Sequence, residues 1–424
     1  MGYSKNIGHN LFTQALKIIF GVVTGIVVAR ALGPTRQGYV AYIILIFTLI
    51  GNFGHLGITS AVAFHQKRSG FERTAIYSTN MNLLALLVVF YFGLVVLLRY
   101  FNLVLSDYQW PMVIGGLVLM LSYLFIGHHQ AWLTGDERII LNNQIGLISF
   151  FLKSGAIVLL WLWGMLNVKS YFLITVLALL LWFILIQIKL KENYFARISV
   201  PILKAEFAYG SVSWASALFA YLHYRADQIM INSYLGSKEL GVYTIAVTIA
   251  ELMFLLPISI NTALTGRLYN LSESDNGREL LARTNRISFS ICIALCLIAI
   301  PGSLLIPLVY GTDYAPATGL MLVLLPGILF ACIPKVVSPW FFSSGLPKVH
   351  LRITFACLVL NVILNAIFLP LWGSLGAALA SSISYMLYGI YYLAVLKLNE
   401  RFSLRELLLP DSQDLALFSK LRRK

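Results

Sequence analysis

Long apolar segments follow one another along almost the whole chain. Segments of about 18 or more residues with few charged side chains predict transmembrane helices, because that length crosses the hydrocarbon core of a bilayer. Backbone groups in lipid must be satisfied internally, and the alternating pattern of barrel strands is absent, so the spans are predicted to be helices. The twelve predicted spans are 11–30, 38–60, 77–98, 110–133, 139–165, 170–190, 207–230, 241–264, 287–310, 317–343, 351–371 and 374–396.

Composition excludes the soluble globular class. Of the 424 residues, 59% are hydrophobic and only 11% are charged, whereas soluble domains contain about 25% charged residues. The four cysteines lie inside apolar segments without a histidine at zinc-like spacing, so they predict neither a disulfide scaffold nor a metal site. The predicted fold class is therefore all-α, a polytopic membrane protein.

The distribution of basic residues predicts the orientation in the membrane. With the N-terminus in the cytoplasm, most of the 31 Lys and Arg lie in connections on the cytoplasmic side and in the tail. This bias follows the positive-inside rule, so both termini are predicted to be cytoplasmic. The net charge of +14 is then explained without a nucleic-acid partner.

Two short motifs recur half a chain apart. The segment LGPTRQG at 32–38 is matched by LGSKELG at 235–241, and WLTGDER at 132–138 is matched by FSSGLPK at 342–348. Each pair joins equivalent spans, and six spans per half preserve orientation, so the halves are predicted to be parallel repeats. The predicted domains are an N-terminal six-helix lobe at 1–190, a cytoplasmic linker at 191–206, a C-terminal six-helix lobe at 207–396 and a cytoplasmic tail at 397–424.

Polar side chains recur at helical spacing in the first two spans of each half. Polar groups are costly in hydrocarbon, so these faces are predicted to line a hydrated cavity bounded by spans 1, 2, 7 and 8. His55 fits a packed side chain equally well, and Lys335 is expected to reach the cytoplasmic interface because its span is long. The candidates are Gln14, Lys17, Asn52, His55, Tyr221 and Arg225 for the cavity, Lys153 in span 5, and Asp227, Thr248 and Glu251 for coupling or gating.

Several of these candidates have a structural alternative. Lys17 either faces the cavity or extends to the interface along its apolar stem. Glu251 is either a coupling group or the structural partner of Lys17 or Lys153. Arg225 and Asp227 are either functional residues or a local pair at the external interface.

Three motifs, two of which include the repeated segments 32–38 and 235–241, carry a resemblance to a known family. They are RALGPTRQGY at 30–39, Asp227 followed by LGSKELGVY at 235–243, and GSLGAA at 373–378. In this order and spacing they resemble the polysaccharide-biosynthesis flippases, namely the O-antigen and exopolysaccharide flippases of the multidrug/oligosaccharidyl-lipid/polysaccharide exporter superfamily. The resemblance covers essentially the whole chain.

The resemblance implies two six-helix lobes around a central cavity, and transport instead of enzymatic catalysis. The implied substrate is an undecaprenyl-pyrophosphate-linked oligosaccharide of an O-antigen, capsule or exopolysaccharide, moved from the cytoplasmic to the outer leaflet of a bacterial inner membrane. Lys17, Arg30, Lys153 and Arg225 would then contact pyrophosphate or acidic sugars. Other implied partners are membrane lipids and a polysaccharide polymerase or chain-length protein.

No cofactor is implied, and the coupling ion, Na⁺ or H⁺, stays open because the spans contain no evident cation-coordinating cluster. A drug/cation antiporter of the same two-lobe fold is the main alternative, although it would favour acidic cavity residues over basic ones. A membrane glycosyltransferase or polymerase is disfavoured by short outer connections and by the lack of a nucleotide-binding motif. A non-transporting scaffold would leave the polar stripes unexplained.

Overall fold

The computed structural model describes residues 3–68, 70–190, 192, 198–269 and 276–411. Contacts divide the chain into two compact units, Met1–Leu218 and Phe219–Lys424. The described residues contain no strand. The first unit contains α1 (Tyr3–Phe53), α2 (Ile58–Arg68), α3 (Arg73–Tyr100), α4 (Trp110–Gly135), α5 (Ile139–Leu162), α6 (Val168–Leu190) and most of α7 (Val200–His223).

The second unit is also helical throughout its described residues. Short turns of 3₁₀-helix at Leu252–Phe254, Ser303–Leu305 and Thr312–Tyr314 connect some of its helices. The division between the units falls within α7, and the lobe limits given by the sequence stay a prediction. The helices are α8 (Ala226–Leu235), α9 (Ser237–Glu251), α10 (Leu255–Tyr269), α11 (Gly277–Gly302), α12 (Ile306–Tyr310), α13 (Pro316–Ser343), α14 (Pro347–Leu398) and α15 (Leu404–Leu408).

Nine helical segments among the described residues are long and apolar enough to cross a membrane. Two of them, Phe20–Lys67 and Pro347–Leu398, each overlap two predicted spans. The predicted span 207–230 has no such segment: α7 is long enough with 24 residues but is less apolar than the nine, and it ends at His223, before the separate helix α8. The all-α membrane fold is confirmed, and the number of twelve spans stays a prediction.

Matching glycines interrupt the helices of both units. Gly33 lies inside α1 with φ 68° and ψ 169°, and Gly236 separates α8 from α9 with φ 83° and ψ −179°. Glycine adopts a positive φ without the steric penalty that a Cβ would bring. The motif repeated at 32–38 and 235–241 therefore marks the same backbone break in each half.

The second repeated motif marks a shared helix end, but with a different alignment of residues. At the end of α4, the backbone N–H of Arg138 donates to the carbonyl of Leu133 at 2.8 Å. At the end of α13, the backbone N–H of Leu346 donates to the carbonyl of Phe341 at 2.7 Å. In this shared turn Glu137 (φ 60°) takes the position of Gly345 (φ 71°). The sequence match instead pairs Gly135 with Gly345, because Gly135 is a glycine for another reason: a Cβ there would collide with a side chain of α2.

Each unit has its own apolar core. Phe47 and Trp132 are fully buried in the core of the first unit, and Phe341 and Tyr392 in that of the second. In the first unit, the turn between α1 and α2 lies directly against α7. A Cβ built on Gly210 would lie 2.1 Å from the carbonyl oxygen of Gly57, so this packing requires glycine.

We expect Gly210→Ala to destabilise the protein. The added methyl group would push α7 away from a backbone carbonyl, and overpacking of this kind typically costs about 1–3 kcal/mol. Thermal unfolding of the purified protein in detergent measures the effect. Gly127→Ala in α4 is the matched control, since a Cβ there meets open space. Equal midpoints for the two variants would contradict the expectation.

Candidate functional site

Arg225 and Glu251 form a bidentate ion pair in the second unit. The two terminal guanidinium nitrogens donate to the two carboxylate oxygens at 2.7 and 2.8 Å, and Nη1 also donates to the carbonyl of Tyr224 at 3.0 Å. The two side chains are 24% and 20% exposed. Bidentate contacts of this kind are strong and geometrically specific. The partner of Glu251 is therefore Arg225, and not Lys17 or Lys153, the two partners considered from the sequence.

Both members of this pair lie where helices are interrupted. α7 ends at His223, and Arg225 precedes α8 with a non-helical φ of −132°. Glu251 ends α9 and is followed by the turn Leu252–Phe254. Pro257 lies near the start of α10, just after this turn, and it has no N–H for the carbonyl one turn earlier. Helix ends leave carbonyls without intrahelical partners, and the guanidinium group of Arg225 satisfies one of them.

Lys335 in α13 places its ammonium group between two aromatic rings. Its Nζ lies 4.3 Å from the ring centroid of Tyr224 and 4.2 Å from that of Phe254. Both distances are typical of cation–π contacts. Within the described part of the chain, no carboxylate lies at ion-pair distance from Lys335. The rings therefore hold a positive charge that an anionic ligand could still approach.

A cavity of about 290 Å³ adjoins this lysine. Aromatic faces, an amide, hydroxyl groups and one ammonium group are combined in its wall, which suits a ligand with both sugar-like and anionic character. Asn261 helps to shape it by donating to the carbonyl of Lys335 at 2.6 Å. The lining residues are Ala220, Tyr224, Ile258, Asn261, Pro334, Lys335, Ser338, His350 and Tyr388.

Asp227 is buried in the second unit and surrounded by neutral donors. Its Oδ2 accepts hydrogen bonds from Tyr243 at 2.5 Å and from Ser381 at 2.8 Å, and its Oδ1 accepts from the backbone N–H of Gln228 at 2.7 Å. Asp227 is only 1% exposed. Among the described residues, no three His, Cys, Asp or Glu side chains are grouped as a metal site would require. The structure thus gives Asp227 hydroxyl partners instead of the local pair with Arg225 considered from the sequence.

Two predicted cavity lysines of the first unit also lie beside aromatic rings. Lys17 places its Nζ 5.7 Å from the ring centroid of Trp182, and Lys153 places its Nζ 5.8 Å from that of Tyr171. Both lysines are half-buried. At these longer distances the cation–π attraction is weaker than at Lys335.

His55 has a local structural role. The predicted span 38–60 is interrupted by a turn at 54–57 between α1 and α2, so the prediction of one continuous polar face is wrong. The Nδ1 of the buried His55 accepts a hydrogen bond from the backbone N–H of Gly57 at 3.1 Å. The packed interpretation of His55 is therefore favoured. Asn52 lies just before this turn and is half-buried.

The remaining predicted residues do not line the cavity beside Lys335. Arg30 and Thr248 are exposed, and Tyr221 is half-buried. The side chain of Gln14 lies outside the described residues.

The sequence reasoning missed the residues around Lys335. The available signal was a lysine inside an apolar segment, but the length of that span favoured an ammonium group at the membrane interface. Tyr224 and Phe254 carried no such signal, because aromatic residues are common in every span. Tyr224 lies in the interruption between α7 and α8, and Phe254 lies in the turn that follows Glu251. These two interruptions bring both rings to Lys335.

Family models match both halves of the chain. The model of the polysaccharide biosynthesis protein family matches residues 3–268, which is more than half of the chain. The MatE model matches residues 214–367. The two matches together cover residues 3–367, which is nearly all of the first unit and the larger part of the second.

Curated relatives include a putative O-antigen transporter of Shigella flexneri. It is 24% identical over 411 residues, which cover 91% of this chain and 96% of the relative. A probable flippase, AglR, of Haloferax volcanii is 24% identical over 191 residues, covering 43% of this chain and 40% of the relative. The first match therefore extends over nearly the full length of both proteins.

Solved structures with the same fold include the lipid II flippase MurJ in an inward closed conformation. Its TM-score is 0.78 at 18% identity, with 93% of this chain and 88% of the other covered. An inward-facing multidrug resistance transporter of the MATE family has a TM-score of 0.70 at 17% identity, with 91% and 96% covered. At these identities the likeness shows the fold alone.

Proposed function

Because the chain belongs to the polysaccharide biosynthesis protein family, we propose that it is a flippase. It translocates an undecaprenyl-pyrophosphate-linked oligosaccharide from the cytoplasmic to the outer leaflet by alternating access. The family match over residues 3–268 is the observation that carries this proposal. The names of the relatives from Shigella flexneri and Haloferax volcanii support it, since one is described as an O-antigen transporter and the other as a flippase.

The physical task requires a polar path through the membrane. A pyrophosphate and several sugars would lose their hydration in about 30 Å of hydrocarbon without replacement. Lysine and arginine side chains can replace water around phosphate oxygens through charge-assisted hydrogen bonds. In this proposal the isoprenoid chain stays in lipid while the head group crosses through the protein.

The described cations divide into two groups with different roles. Lys17 and Lys153 in the first unit are held loosely by rings and bind pyrophosphate or acidic sugars, together with the exposed Arg30. Lys335 in the second unit faces a cavity with aromatic and amide walls and binds an anionic part of the head group. Arg225 acts mainly through Glu251, because each charge already satisfies the other.

Asp227 and Glu251 are the candidates for coupling transport to a cation. Asp227 is buried among neutral donors, so its charge is balanced best by a bound H⁺ or Na⁺. Glu251 changes its net charge only if Arg225 moves away, which makes it a gating residue. Thr248 lies one turn before Glu251 on the same helix and is a candidate for the same gate.

A multi-pass membrane protein follows from the apolar helices and the family. We place it in the bacterial inner membrane with both termini in the cytoplasm, as the basic residues indicate. A polysaccharide polymerase or chain-length protein would act on the product after it reaches the outer leaflet.

A drug/cation antiporter is the second candidate function. The MatE match over 214–367 is the observation that favours it. Such a transporter binds cationic substrates, whereas the cavity of the second unit presents the ammonium group of Lys335. The charge of this cavity wall therefore favours the flippase.

Reconstitution tests the proposal directly. Purified protein in lipid vesicles, supplied with a fluorescent isoprenyl-pyrophosphate-linked oligosaccharide, is expected to speed the exchange of the glycan between leaflets. A membrane-impermeant quencher measures the fraction in each leaflet, and protein-free vesicles give the background. No acceleration with lipid-linked glycan, together with ion-driven uptake of organic cations, would reject the flippase in favour of the antiporter.

A further inference from the structure

A carboxyl group that the proposed site does not use is buried near the start of α7. Glu206 is 0% exposed and lies within the first unit, as does Asn80 of α3, which is also 0% exposed. The amide nitrogen of Asn80 donates to Oε1 of Glu206 at 2.9 Å. This hydrogen bond joins α7 to α3 about two turns after α3 begins.

Two buried oxygen atoms at this contact lack a donor. Neither Oε2 of Glu206 nor Oδ1 of Asn80 has a hydrogen-bond partner. Among the described residues, no basic side chain lies at ion-pair distance from Glu206. A buried ionised carboxylate without a cation carries a large desolvation cost, so this arrangement suits the neutral acid.

One hydrogen atom can satisfy both oxygen atoms. If Oε2 of Glu206 carries a proton, it can donate to Oδ1 of Asn80. The amide nitrogen of Asn80 already donates to Oε1 of the same carboxyl group. The acid and the amide then close a ring of two hydrogen bonds. We propose that Glu206 and Asn80 form a proton-binding site, in which protonated Glu206 fastens α7 to α3.

The other titratable and charged groups near this site lie on α2, α3, α4 and α7. On α7, Lys204 is exposed, and Tyr209 stacks on Phe64 with a centroid distance of 4.3 Å. His65 of α2 faces Tyr209 at 5.8 Å. At the start of α3, Arg73 is bound to Asp136 and Glu192, and Tyr77 is bound to His129. In α4, His128 is buried with its ring centroid 5.7 Å from that of Tyr77, and neither of its ring nitrogens has a hydrogen-bond partner.

The consequence for transport rests on the proposed function. In the conformation described here the proton stays on Oε2 and α7 stays against α3. When transport exposes Glu206 to water, the O–H bond breaks, its electron pair remains on Oε2, and the proton passes to bulk water. Re-formation of the contact takes a proton from the water on the opposite side of the membrane, so each transport cycle would carry one proton across, which makes H⁺ the coupling ion.

Infrared spectroscopy tests the proton itself, independently of transport. The purified protein in lipid near neutral pH is expected to show C=O stretching absorption of protonated carboxylic acids. Glu206→Gln is expected to remove the component that Glu206 contributes and to leave any component of a protonated Asp227 unchanged. The glutamine amide can close the same ring with Asn80, so this variant is expected to fold. Glu137→Gln is the matched control, because Glu137 is exposed and paired with Lys67, and the band should persist. A band unchanged in Glu206→Gln would overturn the proposal.

Leaflet exchange tests the coupling. A proton gradient is expected to accelerate exchange by the wild type and by Glu137→Gln, whereas Glu206→Gln lowers the ratio of rates with and without the gradient to one. A Glu206→Gln protein that still responds to the gradient would overturn the proposal, as would acceleration of the wild type by a Na⁺ gradient alone. If the wild type shows no exchange at all, the proposed function fails while the infrared result still decides the proton site.

Discussion

Arg225→Ala is expected to abolish leaflet exchange and to lower the thermal unfolding midpoint. Glu251 would lose both guanidinium hydrogen bonds while it is only 20% exposed, and removing one partner of a buried ion pair costs about 3–5 kcal/mol. We expect the lower end of that range, because both side chains retain some contact with solvent. Thermal unfolding in detergent and exchange in reconstituted vesicles measure the two effects.

The double variant Arg225→Ala/Glu251→Ala separates stability from transport. Removing both charges is expected to restore most of the stability, since no unpaired charge remains, while exchange stays low. Arg73→Ala is the matched control: it breaks a second bidentate arginine–carboxylate contact, with Asp136 in the first unit. This control should lose stability and keep exchange. Wild-type exchange by the double variant would show that the pair has no part in transport.

Lys335→Met is expected to slow leaflet exchange at least about tenfold, because an ammonium–anion contact contributes about 1.5–3 kcal/mol. Methionine keeps the length of the side chain and packs well against aromatic rings, so stability should change little. The loss of the cation–π contacts is offset because no charge has to be kept in an apolar site. Initial exchange rates at equal amounts of reconstituted protein give the comparison.

Lys348→Met controls for the loss of a positive charge. Lys348 is exposed at the start of α14, so this variant should exchange glycan at the wild-type rate. Equal rates for Lys335→Met and Lys348→Met would exclude Lys335 from substrate binding. A slow Lys335→Met protein with a lowered unfolding midpoint would instead assign the lysine to stability.

The sequence predicted the class of fold because that class depends on long apolar segments. The lipid environment requires such segments to be helical, whatever their tertiary contacts. The interruption at Leu252–Phe254 also has a local cause, since Pro257 just after it lacks an N–H. The number of spans was not settled in this way, because Gly33 and Gly373 interrupt helices that are otherwise continuous.

The candidate site was harder to predict, because its contacts depend on breaks that helical periodicity does not register. No glycine or proline marks the interruption after His223, and the turn containing His55 and Leu56, although it is bounded by Gly54 and Gly57, fell inside one apolar segment. Helical periodicity therefore assigned His55 to a continuous polar face, and it gave no reason to bring Arg225 beside Glu251. The position of Lys335 was predicted wrongly for a related reason. Its ring partners, Tyr224 and Phe254, lie at two separate helix interruptions.

The matching positions of Gly33 and Gly236 bear on the ancestry of the chain. Two segments with different residues between their conserved ends both place a glycine where the chain turns out of a helix. Independent evolution would have to find the same unusual backbone twice, whereas tandem copying of one shorter gene inherits it once. An ancestral subunit of half the length, assembled as a pair, is the simplest origin for both halves.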